Sequence, residues 1–320
     1  MPYFTGDPLD FQGAAQLVIS SYEQLAAQEL SVQYANIVWR SFIPEGSIDG
    51  NVAPGVDIYS KRVKDRRGMA AFRATSGNDI PTVGMSMRKV SVPIQDAAVS
   101  ANIDLRDIDR LQYGFQMDAI AESVSIMREA TERLMERNYF YGAAELAMDG
   151  LINNANVPQI TVPVGAGGFT TWSTKTPDEI LFDLNVGILT PWNNSRLVFL
   201  PNMVWLPPIQ YGSLTGTKAG TTANDYTIMN YFGLQNVHSA ITGGPIIVKP
   251  LRYLEGAGVG GTDRMMSVTF DPTLFMKAES IPFTMLEPQR LAFNMGMYAI
   301  TRFSSNLLPW PTSMLYSDGI

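Results

Sequence analysis

The longest stretch of helical periodicity runs from Asp107 to Arg137, DIDRLQYGFQMDAIAESVSIMREATERLMER. Apolar Ile108, Leu111, Phe115, Ile120, Val124, Met127 and Leu134 recur near helical spacing and no proline interrupts them, which predicts one amphipathic helix. At about 1.5 Å per residue it would be roughly 45 Å long, a structural spine. Asp118, Glu122, Arg128, Glu129, Glu132, Arg133, Glu136 and Arg137 fall on the polar face, with Glu129 and Arg133 set as an i,i+4 pair. The stripe does not sustain heptads, so a coiled coil is disfavoured.

Ahead of the spine, Phe11, Leu17, Val18, Tyr22 and Leu25 predict a short amphipathic helix on an arm. The arm continues through Leu30 to Ile43, where Ile37, Val38, Trp39 and Phe42 offer bulky apolar surface that must pack on something. From Gly46 to Val92 turn formers alternate with basic residues, and Val90, Val92 and Ile94 share one side of a strand. This predicts a long two-stranded excursion, and a lone hairpin is marginal in water, so it has to lie on another body.

Behind the spine, Gly142 and Gly150 punctuate the chain, and Gly150 is expected as a left-handed helix-ending residue. Next come a strand in VPQITVPVG and a helix opened by Thr176-Pro177-Asp178-Glu179, a capping box with proline at its first position, running to about Leu189. RLVFLP reads as a buried strand, Tyr226–Phe232 as a helix, and PIIVKPLRYL and MMSVTFD as strands. Together these predict a compact α/β unit over about 151–285. Leu291, Phe293, Met295 and Met297 then alternate as one strand with a strongly apolar face, and Pro309 and Pro311 stop regular structure.

Composition narrows the chemistry. The 320 residues are 46% hydrophobic and 17% charged, a globular balance with room for a sizeable core. Without cysteine, disulfides, thiolate catalysis and thiolate metal sites are excluded. A lone histidine, His238, excludes a multi-histidine metal site within one chain, and with no GxSxG motif it is read as structural. No cofactor is expected. Gly256-Ala257-Gly258-Val259-Gly260-Gly261 satisfies G-x-G-x-x-G, but a strand follows it where a dinucleotide site needs a helix, so a surface loop is the better reading. There is no basic n-region followed by an apolar h-region and no run of eighteen apolar residues. The protein is therefore expected to span no membrane and to remain in the cytoplasm.

A net charge of −7 argues against a nucleic-acid condenser. Against that background Lys61, Arg62, Lys64, Arg66, Arg67 and Arg73 form a basic cluster with Asp65 as its single acid. Three readings stay open: a solvated loop tip, a nucleic-acid contact that lacks interleaved aromatics, or contact with an acidic surface on a neighbouring copy. Asp104, Asp107, Asp109, Asp118 and Glu122, at the start of the spine, are the candidate surface.

Three segments carry a resemblance: VSVPIQDAAVSANIDLRDI entering the spine, ERNYFYGAAELAMDGLINNANV leaving it, and EPQRLAFNMGMYAITRF with LPWPTSMLYSDGI at the end. In their order over nearly the whole chain they resemble the major capsid proteins of tailed bacteriophages, the Hong Kong 97-type fold shared with encapsulins. The resemblance implies an α+β fold with an N-terminal arm (1–43), an extended β-hairpin loop (44–92), a peripheral domain with the long spine helix (93–150 and 286–320) and an α/β axial domain (151–285). It implies pentamers and hexamers of an icosahedral shell around double-stranded DNA held without sequence specificity. Scaffolding, portal and decoration proteins are the implied partners, with assembly in the bacterial host cytoplasm and a location in the virion capsid. On this reading the extended loop lies across a neighbour, and the contact residues include the basic cluster, the acidic set, Trp39 and Phe42. The alternatives are an encapsulin-like compartment and a nucleotide-binding enzyme using the glycine loop.

Overall fold

The computed structural model describes residues 35–68, 83–106, 119–220 and 226–320. The chain divides into two units, Met1–Asn36 and Ile37–Ile320, and every regular element among the described residues belongs to the second. The helix expected within the arm, Arg73, and Asp107, Asp109 and Asp118 lie outside the described residues.

The strands are β1 (Ile48–Asp49), β2 (Ile58–Arg67), β3 (Gly84–Asp104), β4 (Gly142–Ala143), β5 (Met148–Asp149), β6 (Gln159–Thr161) and β7 (Met203–Leu206). They continue with β8 (Ile247–Pro250), β9 (Arg264–Val268), β10 (Lys277–Met285), β11 (Gln289–Leu291), β12 (Asn294–Ser304) and β13 (Met314–Asp318). The described helices are α1 (Ala119–Tyr141), α2 (Pro177–Asn194), α3 (Pro208–Gly216), α4 (Ile228–Leu234) and α5 (Val237–Thr242).

Two sheets organise them. A six-stranded sheet has the order β1-β10-β12-β3-β2, with β11 paired to β12, and a five-stranded sheet has the order β6-β13-β9-β7-β8. The helices α2 and α4 and the five-stranded sheet enclose one core around Leu184, Ile188, Val204, Leu206, Phe232 and Met265. A second core joins the other face of that sheet to the end of α1 and residues 37–43, through Trp39, Phe42, Tyr139, Phe140, Trp205 and Tyr316.

The spine is α1, which runs on to Tyr141 rather than ending at Arg137. Ile120, Val124 and Met127 pack on Met297 and Ala299 of β12 and on Val99, Ala101 and Ile103 of β3, as the stripe predicts. Leu134 departs from it and stays exposed, while Met135, Tyr139 and Phe140 take the buried positions. Glu136, expected to be wet, is buried because it accepts from Val38 N (2.9 Å) and lies 3.5 Å from Arg252. The Glu129–Arg133 pair forms. Gly142, with φ 72°, follows the end of α1, and the left-handed residue after the short turn Ala144–Leu146 is Ala147, φ 53°, in the role expected of Gly150. Gly150 is needed for proximity, since a Cβ there would collide with the Phe140 carbonyl oxygen.

The capping box forms at α2: Thr176 Oγ1 accepts from Glu179 N (3.4 Å) and Glu179 accepts from Thr176 N (2.8 Å). Along α2, Asp183 is buried beside Lys175 at 2.5 Å and accepts from Trp172 Nε1 at 3.0 Å. RLVFLP is not a strand. Arg196 and Leu197 take positive φ and Leu197 and Val198 are exposed, and the buried strand comes just after it as β7. The closing strand is a hairpin instead: β11 and β12 turn at Ala292, φ 52°, leaving Phe293 exposed at the tip.

The sheets also cut across the expected divisions. The boundary at residue 92 falls inside the unbroken β3. β10 lies in the same sheet as β12, and β13, past Pro311, sits between β6 and β9.

Candidate functional site

Strand β2 pairs with the outer half of β3 in continuous antiparallel register, from Ile58 opposite Pro93 to Arg67 opposite Gly84. Residues opposite each other in such a pair share a face, so the register sorts the hairpin into two surfaces. One face carries Tyr59, Lys61, Val63 and Asp65 with Val92, Val90, Arg88 and Ser86. It rests on the body: Tyr59, Ile94, Ala278 and Leu307 form a small core with Val90 and Val92 against it. Arg88 also donates to the Pro309 carbonyl oxygen at 2.6 Å.

The other face carries Ile58, Arg62, Lys64 and Arg66 with Lys89, Met87 and Met85. All of these are exposed, the apolar ones strongly so: Ile58 55%, Met85 60% and Met87 51%. Farther along β3, the same odd-numbered face presents Val99, Ala101 and Ile103, and there α1 covers it. The spine thus covers one end of a continuous strand face and leaves the other end bare.

The basic cluster is therefore divided. Arg62, Lys64 and Arg66 stand together on the bare face; Arg67 is described in its backbone alone. Lys61 points to the other face, 3.5 Å from Asp49 and over the Tyr59 ring at 5.4 Å. Its hydrogen bond to Tyr59 is the main cause holding its pKa above the ordinary lysine value, while burial raises that of Tyr59. Lys61 already has partners within its own chain. Of the acidic set, Asp104 ends β3 and accepts from Arg106 N at 2.8 Å, and Glu122 is exposed in the first turn of α1. At about 3.4 Å per residue, Lys89, opposite Arg62, and Asp104 lie roughly 50 Å apart along β3, so among the described residues Arg62 and Lys89 do not meet Asp104 within one molecule.

Trp39 and Phe42 are corrected from contact residues to core residues, at 0% and 4% exposure. Trp39 Nε1 donates to Glu132 at 3.0 Å, Arg40 reaches the same carboxylate at 2.7 Å, and Phe42 meets Trp205 edge-on at 5.1 Å. Their surface is covered inside the chain because residues 37–43 dock between α1 and both sheets. Sequence reasoning missed Lys89, Met85 and Met87. Their alternation is visible in MSMRKV, but which of them faces Arg62 depends on a register that only the hairpin itself reveals.

The glycine loop turns its amides inward. Gly256 N donates to Asp263 Oδ1 (2.9 Å), Val259 N to Asp318 Oδ2 (3.0 Å) and Gly258 N to the Thr262 carbonyl oxygen (2.7 Å). Carboxylates thus occupy amides that a phosphate would need, and strand β9 follows. His238 lies on α5, with burial lowering its pKa. Among the described residues no three metal-ligating side chains cluster, and no helix is long and apolar enough to cross a membrane.

A spine helix laid on a long sheet, an outlying hairpin and a compact α/β unit define the class of phage capsid subunits, and solved structures share that fold. The capsid of Myoviridae phage XM1 matches with a TM-score of 0.75 at 12% identity, over 94% of this chain and 98% of the other. The capsid of the native GTA particle matches with 0.60 at 11%, over 98% and 99%, and Gordonia phage Cozz with 0.59 at 13%, over 99% and 96%. No curated protein matches the sequence. The family model described as "Major capsid protein" matches residues 68–320, well over half of the chain. This chain belongs to the major capsid protein family: it is a structural, non-enzymatic protein of the phage capsid. Neither the nucleotide-binding nor the encapsulin alternative finds support.

Proposed function

We propose that the chain assembles with copies of itself into pentamers and hexamers of an icosahedral shell around double-stranded DNA, and that the hairpin is the arm by which one copy grips the next. The carrying observation is the bare half of the β3 face: Arg62, Lys64, Arg66 and Lys89 around exposed Ile58, Met85 and Met87. A cationic ridge with apolar side chains between its charges suits an acidic surface with some apolar area. The acidic approach to the spine, Asp104, Asp107, Asp109, Asp118 and Glu122, supplies that in a second copy. In this scheme 1–43 serve as arm, 44–92 as extended loop, 93–150 with 286–320 as peripheral domain and 151–285 as axial domain, except that β10 joins the peripheral sheet and β13 the axial one. Scaffolding, portal and decoration proteins join in the host cytoplasm.

Electron microscopy and size-exclusion chromatography of the purified protein test this. Capsomers, tubes or shells are expected, and a stable monomer at high concentration overturns the proposal. Reversing Arg62→Glu with Arg66→Glu should weaken assembly by a margin that shrinks as salt rises, because exposed charges are screened. Assembly of that variant equal to wild type at every ionic strength removes the charged grip.

A further inference from the structure

Lys277, the first residue of β10, keeps 2% of its surface, and its Nζ has no hydrogen-bond partner among the described residues. Three rings enclose the amine: Trp39 at 4.3 Å from Nζ to the ring centre, Phe303 at 5.0 Å and Tyr139 at 5.6 Å. They come from three different elements, the Trp39–Phe42 turn, β12 and α1. The other buried lysine shows what a buried ammonium ordinarily has. Lys175 Nζ lies 2.5 Å from Asp183 and donates to the Pro163 carbonyl oxygen at 2.7 Å.

The charged groups around Lys277 do not supply such a partner. On α1, Glu132 is engaged by Trp39 Nε1 and Arg40, and Glu136 by Val38 N and Arg252. On β10, Glu279 acts through space in favour of the charged amine, with a smaller pull from Glu132, while Arg40 in the turn opposes it. Burial outweighs them and lowers the lysine from 10.5 to about 7.

We propose that Lys277 is a proton-sensitive latch on residues 37–43: its neutral amine is enclosed by Trp39, Tyr139 and Phe303 while the segment is docked, and proton uptake favours undocking, because only then does the amine reach water. The turn is four residues of 3-10 helix without a side-chain cap. Beyond its ring contacts the segment is held by Val38 N on Glu136, by Trp39 Nε1 and Arg40 on Glu132, by Tyr139 Oη on the Phe42 carbonyl oxygen (2.8 Å) and by Lys249 Nζ on that of Ser41 (3.0 Å), and undocking breaks these together.

The docked amine titrates near 7 and the freed one near 10.5. Between those values the undocked form binds one more proton, so undocking gains up to about tenfold for each unit the pH falls. Below about 7 both forms are protonated and the dependence levels off. The latch is therefore tightest at alkaline pH.

Amide hydrogen exchange of the full chain at pH 7, 8 and 9, corrected for intrinsic rates and kept at a concentration where it stays unassembled, tests the latch apart from shell formation. Protection of residues 37–43 should rise up to about tenfold per unit in the wild type, with β7 amides as the reference, and should be high and flat in Lys277→Met. A flat wild type, or an equal slope in Lys277→Met, overturns the latch. The 13Cε resonance of Lys277 in the wild type gives an answer that needs no variant: a midpoint near 7 supports it and one near 10 overturns it.

Discussion

Strands β7, β9 and β13 bury every residue they contain, whereas the outer end of β3 buries none from Gly84 to Lys89. Both are regular strands with complete ladders to at least one neighbour, so hydrogen bonding does not separate them. What differs is side-chain cover. The five-stranded sheet has a core on each face and contains its own stabilisation. The hairpin has a small core on one face, and the side chains of the other, Met85 and Met87 among cations, are exposed. On the proposed function, stability and assembly rest on different strands, and substitutions address one without the other.

The largest expected effect lies in the first region. Trp205→Ala, at 0% exposure beside Phe42 and Phe270, should cost about 3–5 kcal/mol in urea unfolding of the single chain; a loss below 1 kcal/mol would break the claim that this sheet carries the fold. Thr176→Ala removes the cap of α2 and should cost about 1 kcal/mol by the same measurement. The smallest effect belongs to the hairpin. Arg62→Glu with Arg66→Glu should leave single-chain stability within about 0.5 kcal/mol while weakening assembly. A larger loss would mean that the bare face already has a structural role inside one molecule.

Much of the architecture is legible in the residues alone, for identifiable reasons. The cap at Thr176 is a local interaction, and so is the Glu129–Arg133 pair, so both follow from spacing. Val90, Val92 and Ile94 declare one face because a strand has a period of two. RLVFLP misleads, since an apolar run states only that some strand or core is near, and Arg196 and Leu197 turn the chain with positive φ before β7 begins. LAFNMGM misleads in a related way: apolar alternation continues through a tight turn at Ala292, and nothing local separates a turning strand from a straight one. Glu136 reads as a surface charge because its partners, Val38 and Arg252, are distant in the chain.

By itself, then, the sequence determined the period of each main element, the long helix, the basic strand, the absence of cysteine chemistry and the likeness to capsid subunits. These rest on neighbours within a few residues or on composition. Tertiary structure alone decided which face of the basic strand stays bare, since that depends on the pairing of β2 with β3. It turned Trp39 and Phe42 from contact residues into core, and it enclosed Lys277 in rings drawn from positions 39, 139 and 303. Burial is a property of what packs on a residue, and here the packing partners come from parts of the chain well beyond the local neighbourhood.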